Sequence, residues 1–461
     1  MSQINFASMH LAKPMLANLQ SLGFTTMTPV QQKTLPLILQ QKDIIAQAKT
    51  GSGKTAAFGI GLVEKLNIES FIPEGLVICP TRELAAQVAN ELRRLARRTH
   101  NVKILTLCGG MPIYPQLRSL EHGAHIVVGT PGRLKDLVAR QALNVAQVKT
   151  LVLDEADRML DMGFAEDLES IAAELPSKRQ TLLFSATFPD NVAKISEHIQ
   201  SLPTHIQVDI HHEKKKIRQY GYEVSSKEKK DVILDIISHY NIKTTVVFCK
   251  TKVQCQDIAD HLKEAGYYAA ALHGDMEQND RDEVLTLFAN GSLSLLTATD
   301  VAARGIDIEG LEAVINFDIS QDPEVHVHRI GRTGRKNCDG LAISLYTKKQ
   351  QPLLAAIEKY IGTSIDRGCL NKLLANNPAP KPAFSSLRLE AGKKNKIRPG
   401  DILGALTKDA GLQANAVGKI HIFPYHTIVA LDQSVIRNAV KHLNKSKVKG
   451  RFHKAKIIRA R

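Results

Sequence analysis

The sequence predicts an α/β protein in which two parallel-sheet domains in tandem are followed by a small α+β domain. Its 461 residues are too many for a single hydrophobic core. Short apolar runs alternate with amphipathic stretches over most of the chain, which is the rhythm of β-α-β units on a parallel sheet. The rhythm is interrupted twice, and the segment after the second interruption is strongly basic.

The first α/β domain is predicted from short apolar runs that alternate with amphipathic stretches such as Glu83–Arg98 and Gly132–Ala139. The predicted strands are Asp43–Ala46, Leu76–Cys79, Ile126–Val128, Leu151–Leu153 and Thr181–Phe184. The charged run His211–Lys216 interrupts the pattern and indicates a linker. The pattern then resumes, which predicts a second domain of similar size. Its predicted strands are Thr245–Phe248, Ala269–Leu272, Leu295–Ala298, Ala313–Phe317 and Leu341–Leu345.

A third, smaller domain is predicted after Asn376–Pro382, a proline-rich segment that disfavours helix and indicates a stiff linker. Its predicted elements are the strands Lys419–Phe423, Thr427–Leu431 and Lys454–Ile458 and the helix Gln433–Leu443. The expected domain bounds are 1–208, 218–375 and 387–461, with linkers at 209–217 and 376–386.

Most of the net charge of +15 lies in this third domain. From Lys381 onward the chain has 18 Lys and Arg against 4 Asp and Glu, whereas the preceding residues are almost neutral. A basic domain favours a polyanionic partner, because binding to phosphates releases their counterions. The alternative is a tail that only keeps the protein in solution.

Composition argues against several other classes of protein. No apolar run reaches the length of about eighteen residues that a membrane helix needs, and the segment Met1–Phe6 lacks the features of a signal peptide. We therefore expect a cytoplasmic protein with no membrane partner. The six cysteines form no C-x-x-C pair, so zinc ribbons and thioredoxin-like redox sites have no support.

The segment Ala48–Thr55 fits the phosphate-loop pattern G-x-x-x-x-G-K-[ST], with alanine in place of the first glycine. It follows a predicted strand and opens a helix, so its backbone N–H groups would surround an anion. Lys54 would reach the β- and γ-phosphates of ATP, and Thr55 would hold Mg²⁺. The predicted nucleotide-binding residues here are Ala48, Lys49, Thr50, Gly51, Ser52, Gly53, Lys54 and Thr55. An incidental glycine turn is the alternative, which the strand–loop–helix setting disfavours.

A carboxylate pair follows the apolar run Leu151–Leu153, where a buried strand is predicted to end. Open α/β sheets bind ligands at the carboxyl ends of their strands. Asp154 is therefore suited to Mg²⁺, and Glu155 to polarising the water that attacks the γ-phosphate. A carboxylate pair alone is weak evidence, since most such pairs are solvated, but its place after a phosphate loop strengthens the interpretation.

The second domain offers arginines that could complete a site for phosphoryl transfer. If His328–Arg335 is helical, Arg332 and Arg335 are expected to lie one helical step apart, on one face. A positioned arginine stabilises the charge that spreads over the γ-phosphate oxygens. The alternative, a basic surface helix, would not explain the two glycines within this segment. Which of the two arginines contributes more stays open.

With these residues in place, the sequence resembles the DEAD-box RNA helicases over roughly residues 5–365, which implies two RecA-like domains. The tetrapeptide that names the family stands at Asp154–Asp157. Other family motifs occur in order along the chain. They are Gly23-Phe24, Thr28–Gln31, Pro80–Ala85, Gly109-Gly110, Thr130–Arg133, Ser185–Thr187, Val246–Thr251, Gln278 with Arg281, and Thr297–Asp307.

The resemblance implies roles for residues that their chemistry alone does not assign. Gln31 would read the adenine edge and Phe6 would stack on it, while Gly305 and Asp307 would approach the nucleotide from the second domain. Contacts to the RNA backbone are implied for Thr81, Arg82, Gly110, Thr130, Arg133 and Thr299. Coupling of hydrolysis to strand separation is implied for Ser185, Thr187 and His328.

The activity that the resemblance implies is RNA-stimulated ATP hydrolysis coupled to local, non-processive unwinding of short RNA duplexes. RNA contacts to phosphates and 2′-hydroxyls would favour RNA over DNA without reading sequence. One alternative is an ATP-gated RNA clamp or scaffold with little productive unwinding, which would use the same residues. A processive or DNA-directed helicase is disfavoured, because the motif spacings leave no room for a large strand-separating insertion. A purely structural RNA-binding protein would not need Lys54, Glu155 and the arginine pair together.

The third domain is similar to the C-terminal domain of bacterial DbpA-type DEAD-box proteins. The segments that carry this resemblance are Lys396–Leu406, Val417–Ile420 and Val448–Arg451. It implies a variant RNA-recognition (RRM-like) fold that binds a hairpin of large-subunit (23S) ribosomal RNA. The implied partner is a pre-ribosomal particle in assembly of the large subunit, and a monomer is the simplest expectation.

The strand that carries stacking aromatics in a standard RNA-recognition motif is aliphatic here. Tyr425–Leu431 has Ile and Val where two aromatic residues are expected. Stacking of bases on the sheet is therefore disfavoured, and basic residues outside it are the better candidates for RNA contacts. These are Lys396, Arg398, Lys447, Lys449 and Arg451. For each of them, a solvated surface charge is an equal alternative.

Overall fold

The computed structural model describes residues 4–48, 51–208, 217–303, 311–334, 339–374 and 377–458. These residues form two compact units, which divide near residue 212. Some predicted features lie outside the described residues. They are Lys49, Thr50, Gly305, Asp307, Arg335 and the charged run His211–Lys216.

The first unit is built on a seven-stranded parallel sheet in the order β3-β4-β2-β5-β6-β1-β7. Its strands are β1 (Ile44–Gln47), β2 (Gly75–Ile78), β3 (Ile104–Leu107), β4 (Ile126–Gly129), β5 (Thr150–Asp154), β6 (Gln180–Ser185) and β7 (Thr204–Gln207). Every residue of β2, β4, β5 and β6 is buried. Continuous apolar runs form these strands because helices cover both faces of the sheet.

Nine helices accompany this sheet in the described part of the first unit. They are α1 (Lys13–Ser21), α2 (Pro29–Leu39), α3 (Lys54–Glu64), α4 (Arg82–Leu95), α5 (Ile113–Leu120), α6 (Pro131–Ala139), α7 (Ala156–Asp161), α8 (Ala165–Ala173) and α9 (Asp190–Ile199). The core has two layers, one on each side of the sheet. In one layer the rings of Phe58 and Phe184 pack at 5.3 Å.

The second unit contains another seven-stranded parallel sheet, in the order β10-β11-β9-β12-β13-β8-β14. Its strands are β8 (Ile217–Glu223), β9 (Thr245–Phe248), β10 (Ala269–Leu272), β11 (Leu295–Ala298), β12 (Ala313–Asn316), β13 (Gly340–Tyr346) and β14 (Asp366–Arg367). The helices are α10 (Lys229–His239), α11 (Lys252–Glu264), α12 (Gln278–Ala289), α13 (Asp300–Ala303), α14 (Pro323–Ile330) and α15 (Gln351–Ile361).

The C-terminal domain belongs to the same unit and has a four-stranded antiparallel sheet in the order β16-β17-β15-β20. Its strands are β15 (Phe384–Leu389), β16 (Val417–Ile422), β17 (Thr427–Asp432), β18 (Lys447–Val448), β19 (Arg451–Phe452) and β20 (Ala455–Ile457). Strands β18 and β19 form a separate hairpin. Its helices are α16 (Pro399–Gly404), which a π-helical turn over Ala405–Asp409 continues, and α17 (Ile436–Leu443). The predicted fold class, two parallel-sheet domains and a small α+β domain, is confirmed.

One face of the C-terminal sheet packs on its own helices and the other on the second α/β domain. Along β15, Leu387 and Leu389 enter the domain's own core, so the alternating residues Ser386 and Arg388 point the opposite way. The Ser386 hydroxyl accepts from Asn290 Nδ2 at 2.9 Å and lies 2.8 Å from the Ser292 hydroxyl.

Further contacts extend this packed face along α12. The Arg388 guanidinium donates to Glu283 Oε2 at 3.0 Å, and Lys419 Nζ donates to the Ala289 carbonyl at 2.9 Å. On β17, Ile428 and Ala430 lie outside the domain's own core and are nevertheless fully buried. The outward sheet face is therefore covered by α12 and the turn that follows it.

Candidate nucleotide and RNA sites

The phosphate loop connects β1 to the first turn of α3, as the sequence predicts. Gly51 and Gly53 have φ angles of 79° and 94°, in the left-handed region that favours glycine. A Cβ on Gly53 would lie 2.6 Å from Gln31 Nε2, so a side chain does not fit there. Lys54 is only 6% exposed, and its Nζ has no hydrogen-bond partner among the described residues. A buried ammonium without a hydrogen-bond partner is costly, which fits a site that binds an anionic ligand.

The carboxylate pair stands at the carboxyl end of β5, the strand next to β6 in the sheet. Asp154 is 3% exposed, and its Oδ1 has no hydrogen-bond partner in the described part of the chain. Burial raises the pKa of Asp154 to about 6, although the Lys54 ammonium opposes this shift. Glu155 has φ 55° and ψ 53°, a left-handed conformation that is strained for a glutamate and recurs at functional sites.

The carboxylate of Asp157 links the end of β5 to the end of β6. It accepts hydrogen bonds from Ala186 N at 3.1 Å, Thr187 N at 3.0 Å and the Thr187 hydroxyl at 3.0 Å. The Asp157 N–H donates to the Ser185 hydroxyl at 3.3 Å. Burial opposes ionisation of Asp157, but Lys54 and the Thr187 bonds outweigh it and lower its pKa.

Our sequence-based site residues include Ser185 and Thr187 but omit Asp157, their partner in the structure. The residue was present in the tetrapeptide Asp154–Asp157 itself, but its partners after β6 are distant in sequence, so no local pattern showed its role.

The side chain of Gln31 connects the start of α2 to the phosphate loop. Its Oε1 accepts from Thr28 N at 2.8 Å, and its Nε2 donates to the Gly53 carbonyl at 3.1 Å. Phe6 is 2% exposed and belongs to the hydrophobic core that also contains Phe58. The adenine contacts of Gln31 and Phe6 stay predictions.

The five predicted RNA-contact residues of the first unit lie at the carboxyl ends of β2, β3 and β4. Thr81 caps α4 by accepting from Leu84 N at 3.2 Å. The Arg82 guanidinium packs on Gly110, where a Cβ would lie 1.9 Å from Nη2. The Thr130 hydroxyl accepts from Gly109 N at 3.1 Å. Arg133 Nη2 donates to the Met111 carbonyl at 2.9 Å.

In the second unit, His328 and Arg332 lie on α14 and the turn after it, and Thr299 follows β11. Arg329, which lies between His328 and Arg332 in the sequence, fixes this segment to the domain. It forms two hydrogen bonds with the Asp300 carboxylate, at 2.6 and 2.7 Å, and donates to the Asp318 carbonyl at 2.7 Å. We did not select Arg329 from the sequence, because nothing local distinguishes it from the arginines around it.

The basic residues predicted for RNA in the C-terminal domain lie on the turn before α16 and on the hairpin β18–β19, which contact each other. Lys449 Nζ donates to the Lys396 carbonyl and lies 3.3 Å from Asp401 Oδ2. Asp401 Oδ2 also accepts from Arg398 N at 2.8 Å. Lys396 and Lys449 adopt left-handed φ angles of 59° and 53°, which these two turns require.

The hairpin β18–β19 adds further groups to this basic cluster. The Lys447 ammonium lies 5.6 Å from the centre of the Phe452 ring, which is 63% exposed. Arg451 is exposed beside it. We call Lys396, Arg398, Lys447, Lys449 and Arg451 the basic cluster.

Family models match three segments of the chain. The DEAD/DEAH box helicase model matches residues 28–195, and the helicase conserved C-terminal domain model matches residues 228–337. The DbpA RNA-binding domain model matches residues 386–457. The chain belongs to the DEAD-box ATP-dependent RNA helicases. This DEAD-box helicase is thus an enzyme that couples ATP to the remodelling of RNA, with an RNA-binding domain of the DbpA kind.

Relatives of this DEAD-box helicase support the same assignment over different lengths. It is 47% identical to the ATP-dependent RNA helicase DbpA of Escherichia coli, over 98% of this chain and 99% of that protein. It is 43% identical to the DEAD-box ATP-dependent RNA helicase CshA of Bacillus subtilis, over 79% of this chain and 74% of that protein. The CshA similarity thus spans less of the chain than the DbpA similarity does.

A solved structure is similar in fold over most of this chain. Dbp5 of Saccharomyces cerevisiae, bound to RNA and ADP BeF3, matches with a TM-score of 0.73 and 30% identity. The match covers 80% of this chain and 96% of that one. In the described part of the chain, no helix is both long and apolar enough to cross a bilayer.

Proposed function

We propose that this DEAD-box helicase performs local, non-processive unwinding of short RNA duplexes during assembly of the large ribosomal subunit. The C-terminal domain would direct it to 23S ribosomal RNA. The observation that carries the proposal is the coverage of the C-terminal sheet face by α12, because a covered sheet face favours the exposed basic cluster as the RNA-binding surface. End-to-end similarity to E. coli DbpA supports the choice of target.

Phosphoryl transfer is assigned to the residues around the phosphate loop. Lys54, with its unpartnered buried ammonium, would bind the β- and γ-phosphates of ATP. The unpartnered Asp154 oxygen and the Thr55 hydroxyl fit Mg²⁺, which would neutralise charge on the phosphates. Glu155 would orient the attacking water, and Arg332 with Arg335 would stabilise charge on the γ-phosphate. Remaining phosphate contacts are assigned to Ala48, Lys49, Thr50, Gly51, Ser52, Gly53, Gly305 and Asp307, and adenine contacts to Gln31 and Phe6.

RNA-backbone contacts are assigned to the residues at the strand ends of the two α/β domains. These are Thr81, Arg82, Gly110, Thr130, Arg133 and Thr299. Ser185, Thr187 and His328 would transmit the state of the nucleotide. The bonds of Asp157 to Thr187 support this coupling, because they connect the end of β5, which holds Asp154, to the segment after β6.

The basic cluster of the C-terminal domain is assigned to the ribosomal RNA. Five cations on a turn and the protein hairpin that contacts it can contact several phosphates of a folded RNA hairpin at once. A pre-ribosomal particle is the proposed partner. Monomeric state and cytoplasmic location stay predictions, as do the domain bounds 1–208, 218–375 and 387–461.

Steady-state ATP hydrolysis with different RNAs tests this proposal. The full chain would be assayed with ribosomal RNA, unrelated RNA of equal length and single-stranded DNA. The double variant Arg398→Glu/Arg451→Glu would be compared with Lys408→Glu/Arg437→Glu, which makes the same charge change at exposed sites of the same domain outside the basic cluster.

We expect ribosomal RNA to stimulate hydrolysis most, and only the cluster variant to lose that preference. Equal stimulation by both RNAs in the unaltered chain would contradict the ribosomal assignment. Equal loss in both double variants would contradict the cluster. Strand displacement measured beside hydrolysis separates unwinding from an ATP-gated clamp, which would hydrolyse ATP without displacing a strand.

A further inference from the structure

A polar cavity lies at the amino ends of the strands of the first sheet, whereas the nucleotide site lies at their carboxyl ends. It has a volume of 450 Å³ and is lined by residues that precede β2 and β3 and by the C-terminal end of α4. Nucleotide and RNA residues of this domain occupy the carboxyl ends of the strands. The cavity therefore belongs to neither site. Its lining residues are Phe71, Arg93, Ala96, Arg97, Thr99, Asn101, Val102 and Lys103.

Three cations stand among these eight lining residues, and none of the eight is a carboxylate. Arg93 donates to neutral oxygens, namely Asn90 Oδ1 at 2.9 Å, the Ile104 carbonyl at 3.0 Å and the Thr106 hydroxyl at 3.3 Å. Lys103 Nζ donates to the Ser119 carbonyl at 3.2 Å. Arg97 is exposed. The positive charge of the cavity is thus held in place by neutral groups and remains available to an anion.

The arginines crowd positive charge at the end of α4. Arg93 and Arg94 lie in its last turn, and Arg97 and Arg98 lie in the turn that follows it, so these like charges repel one another. Cations at a helix C-terminus are stabilised by the helix dipole, but that effect fades beyond the last turn of α4, which ends at Leu95. One ion pair, Arg94 with Glu91 at 2.6 Å, offsets part of this repulsion.

An aromatic ring forms one wall of the cavity and is fixed from behind. Phe71 is 40% exposed, and its ring lies 4.7 Å from the ring of His125. His125 is fully buried; its Nδ1 accepts from Lys103 N at 2.9 Å, so its Nε2 donates to the Ile68 carbonyl at 3.0 Å. Gly123 has φ 64°, and a Cβ there would lie 2.2 Å from the Phe71 carbonyl. These contacts hold Phe71 in place, so its exposed ring face is available for stacking without rearrangement.

We propose that this cavity is a second RNA-binding site of the first domain, which holds one nucleotide of a single strand flanking the duplex under remodelling. Its phosphate would bind Arg97 and Arg93, and its base would stack on Phe71. A guanidinium fork suits a phosphate, and an aromatic face suits any base, so the site would not select sequence. An acidic protein segment is the less favoured occupant, because it offers no flat ring for Phe71.

Binding of a single-stranded RNA to the full chain, measured without ATP at several salt concentrations, tests the proposal. Arg97→Glu is compared with Arg98→Glu, the same charge change one residue away on an exposed side chain that does not line the cavity. Phe71→Ala is compared with Phe71→Tyr, which keeps the ring. RNA carrying 5-iodouridine is then crosslinked to the unaltered chain, and the attached peptide is identified by mass spectrometry.

We expect Arg97→Glu to weaken binding and to lower the salt slope by about 0.7, the value for one lost phosphate contact. Phe71→Ala should weaken binding at least about fivefold at an unchanged slope, as loss of one stacked base does. Arg98→Glu and Phe71→Tyr should each stay within about twofold, and the crosslink should fall on the peptide that contains Phe71.

Two results would overturn the proposal. If Arg97→Glu and Arg98→Glu weaken RNA binding equally, the effect comes from general charge attraction and not from the cavity. Unchanged RNA binding by Arg97→Glu and Phe71→Ala would show that RNA does not use the cavity and would leave it to an acidic protein segment. Neither result bears on RNA-stimulated hydrolysis in the unaltered chain, so failure of this site and failure of the proposed function remain distinguishable.

Discussion

The nucleotide site and the basic cluster of the C-terminal domain both depend on charged side chains, but these side chains are buried in the first and exposed in the second. Lys54 and Asp154 are buried at strand ends with polar atoms that lack partners among the described residues. Lys396 is exposed on a turn, and Arg451 is exposed on the hairpin β18–β19. Buried charges cost folding energy and act strongly on a ligand, because little water screens them. Exposed charges cost little and act weakly one by one, so binding needs several of them.

The comparison predicts the largest effect for a single substitution at the nucleotide site. Glu155→Gln should lower kcat for RNA-stimulated ATP hydrolysis by about 10²- to 10⁴-fold, because the residue that orients the attacking water loses its basicity. Binding of ATP and RNA should persist. Steady-state kinetics beside Glu166→Gln, the same change at an exposed site, would measure the effect. A loss below tenfold would mean that Glu155 does not act on the water.

A second prediction concerns stability, where two carboxylates on one segment should behave oppositely. The folded pKa of Asp154, about 6, lies above its ordinary value of 3.8, so its stabilising contribution falls as pH rises between these values. Asp154→Asn should therefore stabilise the nucleotide-free protein at pH 7, by on the order of 3 kcal/mol, while abolishing hydrolysis.

Asp157→Asn is the matched variant and should destabilise the protein at pH 7. The lowered pKa of Asp157 means that its contribution is present above its ordinary pKa and is lost as pH falls through the folded value. Thermal unfolding of both variants at pH 7 checks the two signs, and a scan extended below pH 4 follows the loss of the Asp157 contribution. Destabilisation by Asp154→Asn would show that interactions in the folded protein already offset the cost of burying the charged carboxylate.

A third prediction tests whether the contact on α12 holds the C-terminal domain in place. Arg388 pairs with Glu283 at 3.0 Å and with Glu390 at 3.1 Å, so Arg388→Glu would bring three carboxylates together. These side chains are partly exposed, so we expect a loss of only about 1 kcal/mol. The double variant Arg388→Glu/Glu283→Arg should recover the part of this loss that comes from Glu283. Protection from proteolysis near residues 377–383 would report the docking, and a lack of recovery would count against a specific pair.

The smallest effect is expected for one residue of the basic cluster. Arg451→Ala should weaken binding of ribosomal RNA about two- to fivefold and lower the salt slope by about 0.7 to 0.9, as loss of one phosphate contact does. Binding isotherms at several salt concentrations would measure both quantities. A hundredfold loss of affinity would indicate that Arg451 contacts a base. It would also show that an exposed charge can act as strongly as a buried one.

Much of the fold could be predicted because the signals are local. Thr245–Phe248, Ala269–Leu272 and Leu295–Ala298 are predicted with the bounds that the structure has, since a strand buried on both faces is a continuous apolar run. Half-exposed β3 and edge strand β7 were not predicted, because their burial patterns are broken by polar or exposed residues. Strand β15 begins at Phe384, before the predicted start of the third domain at residue 387.

The sequence by itself determined the phosphate loop, the carboxylates after β5 and the basic character of the C-terminal domain. Each depends on residue types at fixed spacing along a short segment, which local backbone preferences turn into a loop, a strand end or a turn. Tertiary structure decided the rest. The partnership of Asp157 with Thr187, the anchoring of Arg329 by Asp300 and the burial of Ser386 against Asn290 join residues distant in sequence. Such pairs form only when packing brings the elements together, so a local sequence pattern does not identify the partner.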